Sequence, residues 1–299
     1  MNVLCVRQEG CSYIQKYNLA FLIIDVEREK AMSYLQILVA TMHQSDLSIV
    51  KKMNIRCSAM IANQADREEI VNAETEFGKV KMITTATRGV GLNRNIALLA
   101  AEGDILLFAD DDMLYYDDMP EKVTQAFEEH PEADVLIFGI DIIKDGVITE
   151  KRRTEFRKLH VWNSMKYGTV RIAIRRQALL NHNITFHQSF GGGCPFGSGE
   201  DTLFLKACFD AGLKVYSYDY VLGTCCKDQS SWFVGYNEKY FYDRGVLVRN
   251  LFPKTAYLMA IYFGVRFKRK TDLGVFKRLK YIYSGVRCGK RMIPYSERK

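Results

Sequence analysis

The stretch that most constrains this chain runs from Ile105 through Leu106, Leu107, Phe108 and Ala109 into Asp110, Asp111 and Asp112. Five uncharged residues without alternation read as a strand buried on both faces, the pattern of a parallel strand covered by helices. Three carboxylates stand where that strand emerges, and in open α/β sheets ligands bind outside the carboxyl ends of the strands. Adjacent carboxylates repel one another, so folding alone does not favour the run unless a cation neutralises it. Hard oxygen ligands suit Mg²⁺ or Mn²⁺, which one or two carboxylates hold together with substrate phosphates. A solvated acidic turn is the plainer reading of an isolated Asp run; the apolar strand before it favours the metal.

Strands alternate with helical patterns around this point. Residues 35–40 read as a buried strand ending at Thr41, followed by a helix through Met53 with Ser45 or Asp46 as its cap. Residues 57–62 and 80–84 are further strands. Gly89 opens a turn into a helix to Ala101, with Ile96, Leu99 and Ala100 on one side. Asp118 and Pro120 start the next helix, Pro sitting in the first turn where its missing N–H costs nothing. Val123 and Phe127 share a face of it. A strand over 134–143 turns at Asp145-Gly146, a hairpin signal, into Val147 and Ile148. Residues 169–174 form another strand, with a short helix from Gln177. Residues 190–199 hold five glycines, a loop whose backbone can approach a ligand closely. A helix from Thr202 turns Phe204, Leu205, Cys208 and Ala211 inward and ends at Gly212, before a strand over 214–218. This order predicts an α/β fold with a βαβ-type sheet. Residues 18–26 fit a strand and 27–34 a helix turn, and neither carries chemistry.

Composition is that of a globular protein, 48% hydrophobic and 26% charged. The net charge of +7 is unevenly placed: residues 249–299 carry 14 Lys/Arg against Asp272 and Glu297, a net +12, so residues 1–248 are net negative. No secretory signal pattern opens the sequence, and residues 256–265 are half of the ~20 a spanning helix needs. Eight cysteines without a CxxC pair fit a reduced, cytoplasmic chain.

Four segments in order carry a resemblance. Leu38, Val39, Ala40 and Thr41 close a first strand, and Gly89-Val90-Gly91-Leu92-Asn93-Arg94-Asn95 opens a helix. Asp110-Asp111-Asp112 ends a strand, and Gly199-Glu200-Asp201 opens the helix after the glycine loop. Over residues 35–250 the chain resembles the family 2 glycosyltransferases of the GT-A fold, in particular bacterial enzymes that build capsular or other surface polysaccharides. The resemblance implies a mixed, mostly parallel nucleotide-sugar-binding sheet with flanking helices. Residues 1–34 are then an N-terminal extension, and residues 251–299 a basic amphipathic helical tail.

It also implies roles. Thr41 stands beside the nucleotide base, and Asn63 ends the second strand, where the family often has an acid that reads uracil. Arg94 and Asn95 match an Arg-Asn pair beside the nucleotide; an Arg opening a helix near a diphosphate is physically sensible. Asp110 and Asp112 match the two acids of the D-x-D motif, Asp112 on the Mn²⁺ or Mg²⁺ ion and Asp110 near ribose and metal. Asp111 takes no ligand role. Asp201 matches the catalytic base, with Glu200 before it; a single base without a covalent intermediate means direct displacement and inversion. Where family members often carry a metal-side His, this chain reads Cys225, Cys226 and Lys227, and none of the three is assigned.

The expected function is inverting, metal-dependent transfer from a nucleotide-sugar, a UDP-sugar, to a hydroxyl of a saccharide or lipid-linked saccharide acceptor. A sugar nucleotidyltransferase is the nearest rival, but Met42-His43-Gln44-Ser45 lacks its Gly-rich, basic phosphate loop. A non-catalytic membrane-surface scaffold keeping the fold is the other. In the tail, Tyr257, Leu258, Ile261, Tyr262, Phe263 and Phe267 lie among Arg266, Lys268, Arg269 and Lys270, as in helices that lie on anionic membranes. Nucleic acid is not an expected partner. The expected location is cytoplasmic, peripheral on the inner face of the cell membrane.

Overall fold

The computed structural model describes residues 34–226, 235–267 and 270–297; the elements expected over 18–33 lie outside these. Leu35–Lys299 forms one compact unit. Its centre is β1 (Leu35–Met42), flanked on one side by β2 (Ser58–Gln64) and on the other by β5 (Ile105–Asp110), both parallel to it. β4 (Gly78–Thr85) continues the parallel set beyond β2 and is edged by antiparallel β3 (Glu69–Thr75). On the far side of β5 come antiparallel β10 (Ile172–Arg175), then β7 (Val135–Lys144) and β11 (Val215–Cys226), which pair parallel. Short β6 (Met113–Tyr115) pairs with β11, β8 (Val147–Arg152) with β7, and β9 (Arg157–Lys158) with β11, giving an 11-stranded mixed sheet.

The non-alternating strands are apolar because both faces are covered. Ile37, Val39 and Leu107 face one layer with α1 (Ser48–Lys52) and α3 (Met119–Glu129). Leu38, Leu106 and Phe108 face the other, with α2 (Val90–Leu99), α5 (Arg176–His182) and α6 (Glu200–Asp210). The hairpin turn stands where expected, with φ of +50° at Asp145 and +75° at Gly146. Asp46 accepts the Ser48 N–H at 2.8 Å, ahead of the helix rather than as its N-cap residue. β11 extends to Cys226, and residues 169–171 are a 3₁₀ turn leading into β10.

Two local expectations are corrected. β3 goes unread in the sequence because it is an exposed edge strand rich in Glu, with no buried stripe to betray it. Helix α2 does not bury Leu99, which is 83% exposed; it buries Gly91, Asn93, Arg94, Asn95 and Ala97 instead. The helix sits on its polar side because those side chains have specific partners at the strand ends.

The basic segment folds into α8 (Ala256–Arg266) and α9 (Val275–Cys288), which share a third core with α7 (Glu238–Leu251). Phe190 and Phe196 of the glycine loop, both fully buried, belong to that same core. α4 (Val161–Ser164) flanks it. No helix among the described residues is long and apolar enough to cross a membrane. Helices α7 and α9 meet backbone to backbone: a Cβ on Gly285 would lie 2.0 Å from the Tyr242 carbonyl oxygen, and one on Gly245 2.1 Å from that of Ile282. Ala gains about 1 kcal/mol over Gly in an unencumbered helix. Gly285→Ala should nevertheless lower the unfolding free energy in urea by roughly 2 kcal/mol, because the backbones must part. A stabilised variant would mean that the helices are not in contact.

Candidate active site

Arg94 is the hub. It lies in the second turn of α2 with a side chain only 5% exposed, its Nη2 donating to Asp110 Oδ1 at 2.7 Å and its Nη1 to Glu200 Oε1 at 3.0 Å. The guanidinium also lies over the Phe186 ring, 5.4 Å from its centroid. One planar cation thereby joins the aspartate strand to the helix after the glycine loop, a use for which lysine is unsuited. Burial works against the charge, but Asp110 and Glu200 outweigh it and push the guanidinium pKa upward.

The loop reaches Arg94 because glycine permits it. Gly191 has φ +103°, and a Cβ there would lie 2.4 Å from Val90 Cγ1 and 2.8 Å from the Glu200 carboxyl. The Val90 N–H donates to the Gly192 carbonyl at 2.9 Å, locking the loop to the start of α2.

Between them lies a cleft of about 380 Å³ at the carboxyl ends of β1 and β5, where Ala40 and Asp110 stand in register. The strand order turns back here, β2 lying on one side of β1 and β5 on the other, the usual place for a ligand. Thr41, Arg94, Asp110, Asp111, Asp112 and Glu200 all line the cleft. The Thr41 hydroxyl donates to Asp111 Oδ2 at 2.6 Å and accepts from Gln44 Nε2 at 2.9 Å, so Asp111 has a structural partner.

Two expected nucleotide contacts do not line the cleft. Asn63 is fully buried, its Oδ1 accepting the Gln44 N–H and its Nδ2 donating to the Gln44 carbonyl, both at 3.0 Å, and to Thr84 Oγ1 at 3.1 Å. It pins the loop after β1 instead of reading a base. Asn95 exchanges two hydrogen bonds with the Phe186 backbone, at 2.9 and 2.7 Å. The neighbour that holds the strand ends is Asn93, whose Nδ2 donates to the carbonyls of Ala62 and Thr41. Gln64 and Arg88 line the cleft without having stood out in the sequence, and Cys226, left unassigned there, lines it too. For Arg88 a signal was available, since it directly precedes the Gly89 turn. Lys227 lies outside the described residues, and Cys225 donates its S–H to Asp112 Oδ2 at 3.3 Å.

The acidic strand end suits a divalent cation. Asp112 Oδ1 is buried without a hydrogen-bond partner, and burial, then Asp110 and Asp111, push the Asp112 carboxyl up to about 6. A hard cation would relieve both the orphaned oxygen and the repulsion. Among the described residues no group of three or more His, Cys, Asp or Glu forms a ready cage. Phosphate and water would therefore complete the shell, as is usual for Mg²⁺.

Glu200 and Asp201 form the first turn of α6 but differ in surroundings. Glu200 is held by Arg94 and by the Gly199 N–H at 3.1 Å. Asp201 has no ion pair among the described residues; its Oδ1 accepts from the N–H and hydroxyl of Thr202, at 2.6 and 3.1 Å. Burial, followed by the Glu200 charge, holds the Asp201 carboxyl above the ordinary carboxylate range. Arg94 opposes that shift without pairing with Asp201, and a carboxylate held above its ordinary range is suited to accept a proton.

Residues 61–194 match the model of glycosyl transferase family 2. No curated protein matches the chain in sequence. Among solved structures, S. aureus TarS 1-349 in complex with UDP-GlcNAc is similar with a TM-score of 0.55 at 14% identity, over 88% of this chain and 77% of that one. TarS 1-349 alone gives 0.55 at 13%, over 88% and 93%. Its complex with UDP gives 0.52 at 16%, over 85% and 71%. At these identities the likeness is one of fold.

The raised Asp112 carboxyl has a thermodynamic consequence. Between about pH 4 and pH 6 the folded, metal-free protein keeps a proton there that the unfolded chain has released. Stability contributed by this group is therefore present at low pH and lost as pH rises through that window. Asp112→Asn should stabilise the metal-free protein near pH 7 by roughly 1–3 kcal/mol and by almost nothing near pH 4. Urea unfolding at both pH values checks this; an equal gain at both would trace the effect to packing.

Proposed function

We propose that this chain, a family 2 glycosyltransferase of the GT-A fold, moves a sugar from a UDP-sugar to a hydroxyl of a saccharide or lipid-linked saccharide acceptor, with inversion, in surface-polysaccharide synthesis. The observation that carries this reading is the bridge by which Arg94 brings Asp110 and Glu200 into one cleft. The donor assignment is supported by the UDP-GlcNAc and UDP complexes of the similarly folded TarS.

In this reading Thr41 stands beside the nucleotide base, Arg94 faces the diphosphate, and Asp112, with Asp110 near the ribose, would hold Mn²⁺ or Mg²⁺. A cation held there would supply positive charge for the departing diphosphate. Asp201 accepts the proton of the acceptor hydroxyl as that oxygen bonds to the anomeric carbon and the bond to the diphosphate breaks. One displacement inverts the configuration. Glu200 is fixed by Arg94, and its charge adds to burial in raising the proton affinity of Asp201. Asp201→Asn should keep UDP affinity in Mn²⁺ near wild type while transfer falls roughly 10²–10⁴-fold. EDTA should remove UDP affinity in both proteins. Calorimetry and turnover of a UDP-sugar panel check this; near-wild-type turnover would move the base to Glu200, and EDTA-insensitive binding would remove the metal.

The same reading places the enzyme on the cytoplasmic face of the membrane. Tyr257, Leu258, Ile261, Tyr262 and Val265 form one exposed apolar side of α8, with Arg266 beside it. Such a helix lies in the interface, with each basic residue contributing about 1 kcal/mol on an anionic surface. The protein should sediment with anionic vesicles, not with neutral ones, and be released by salt; indifference to lipid charge would overturn the attachment.

A further inference from the structure

A second cavity, of about 730 Å³, opens between α4, α7 and α8, and Thr202 of α6 forms part of its wall. Lys166, Arg244, Arg266 and Lys270 stand on it, and among the described residues no Asp or Glu does. None of these four cations enters an ion pair among the described residues, whose salt bridges involve other Lys, Arg and His. Aromatic rings hold them instead. Arg244 lies 5.6 Å from the Phe263 centroid and donates to the Tyr240 hydroxyl at 2.8 Å. Lys166 lies 5.1 Å from Tyr167, and Lys270 5.7 Å from Tyr236. Contact with a ring face orients a cation without neutralising it, so the groove keeps a concentrated positive field.

An uncharged saccharide gives no reason for four like charges on one groove, whereas an anion bound there relieves their mutual repulsion. Phosphate suits them: Lys meets it as a point charge and Arg in a bidentate fork. Trp162 adds a surface for a sugar. It is 64% exposed, lines the groove, and stacks on Phe252 with centroids 4.7 Å apart and planes 2° from parallel. Its other face is therefore available to an apolar ring surface. The position of the groove is as telling as its charge. Glu200 lines the aspartate cleft and Thr202 lines the groove, with Asp201 between them on one helical turn.

We infer that this groove binds the acceptor and that the acceptor carries phosphate; calling the ligand an acceptor rests on the transferase reading above, whereas the anion site does not. Two sources share the chemistry: a lipid-linked diphosphate, whose chain would run toward the apolar side of α8, and a phosphodiester-linked saccharide.

The test titrates the full chain, saturated with UDP and Mn²⁺ so that the aspartate cleft is filled. The probes are farnesyl diphosphate, a phosphodiester-linked hexose oligomer and, as the uncharged control, maltohexaose. At least one anionic probe should bind, weaken as salt rises, and lose roughly ten-fold or more in affinity in Arg244→Gln and in Lys270→Gln. UDP affinity should stay unchanged in both variants. The probe that binds identifies the source. Lys166→Gln and Lys270→Gln alter exposed side chains and keep the test valid if Arg244→Gln unfolds. Maltohexaose binding as tightly as the anions, no anion binding, or full affinity in the Lys variants would overturn the inference. A chain that binds no UDP but binds the anions through these residues would remove the donor reading and leave the groove standing.

Discussion

A buried guanidinium between two carboxylates is the constraint on which this site depends. Desolvating Arg94 is expensive, and the pair with Asp110 and Glu200 recovers that cost only if both acids stay in place. Removing either partner takes away one of the two acids that offset the buried cation and cuts its tie to one element, so the ion triad acts as a gauge of alignment between the end of β5 and the start of α6. The glycines around it follow from the same requirement. Backbone must come within contact distance of Val90 and Glu200, and a side chain at Gly191 would fill that space. Arg94 therefore explains why a polar helix face was buried against the strand ends, where amphipathic reasoning would have turned Leu99 inward.

The aspartate run shows the opposite balance. Asp110 is neutralised by Arg94 and Asp111 is tied to Thr41, which leaves Asp112 as the carboxylate with an orphaned oxygen. Burial first, and then the charges of Asp110 and Asp111, raise its proton affinity. A fold selected for stability alone would have placed an amide there.

What was legible in the sequence had a local cause. The apolar run from Ile105 to Phe108 marks a strand covered on both sides, and Asp145-Gly146 marks the turn between β7 and β8, because both depend on residues in immediate succession. The strand ends at Thr41 and Asp110 were likewise placed to within two residues. Illegible features depend on partners far along the chain. Asn63 looks like a base reader until Gln44 and Thr84 are seen to consume its amide. Asn95 is spent in the same way on Phe186, 91 residues away. Strand β3 is exposed and pairs along one side only, so neither period nor hydrophobicity reports it.

The C-terminal helices are the clearest case of such long-range dependence, and they bear on the chemistry. The Gly197 N–H donates to Asp243 Oδ2 of α7 at 3.1 Å, and Lys239, which pairs with that same carboxylate, donates to the Pro195 carbonyl at 2.9 Å. Phe190 and Phe196 are buried in the core that α7 shares with α8 and α9, each burial contributing on the order of 2 kcal/mol. The loop that presents Glu200 and Asp201 is thus clamped from two sides, by Arg94 at the sheet and by α7 at the helical layer. A loop held only at the sheet would leave the second carboxylate free to wander by more than proton transfer tolerates. The basic segment that read as a tail consequently supports the clamp that fixes the loop. Any surface that engages the apolar side of α8 is mechanically linked, through this shared core, to the turn that carries Asp201.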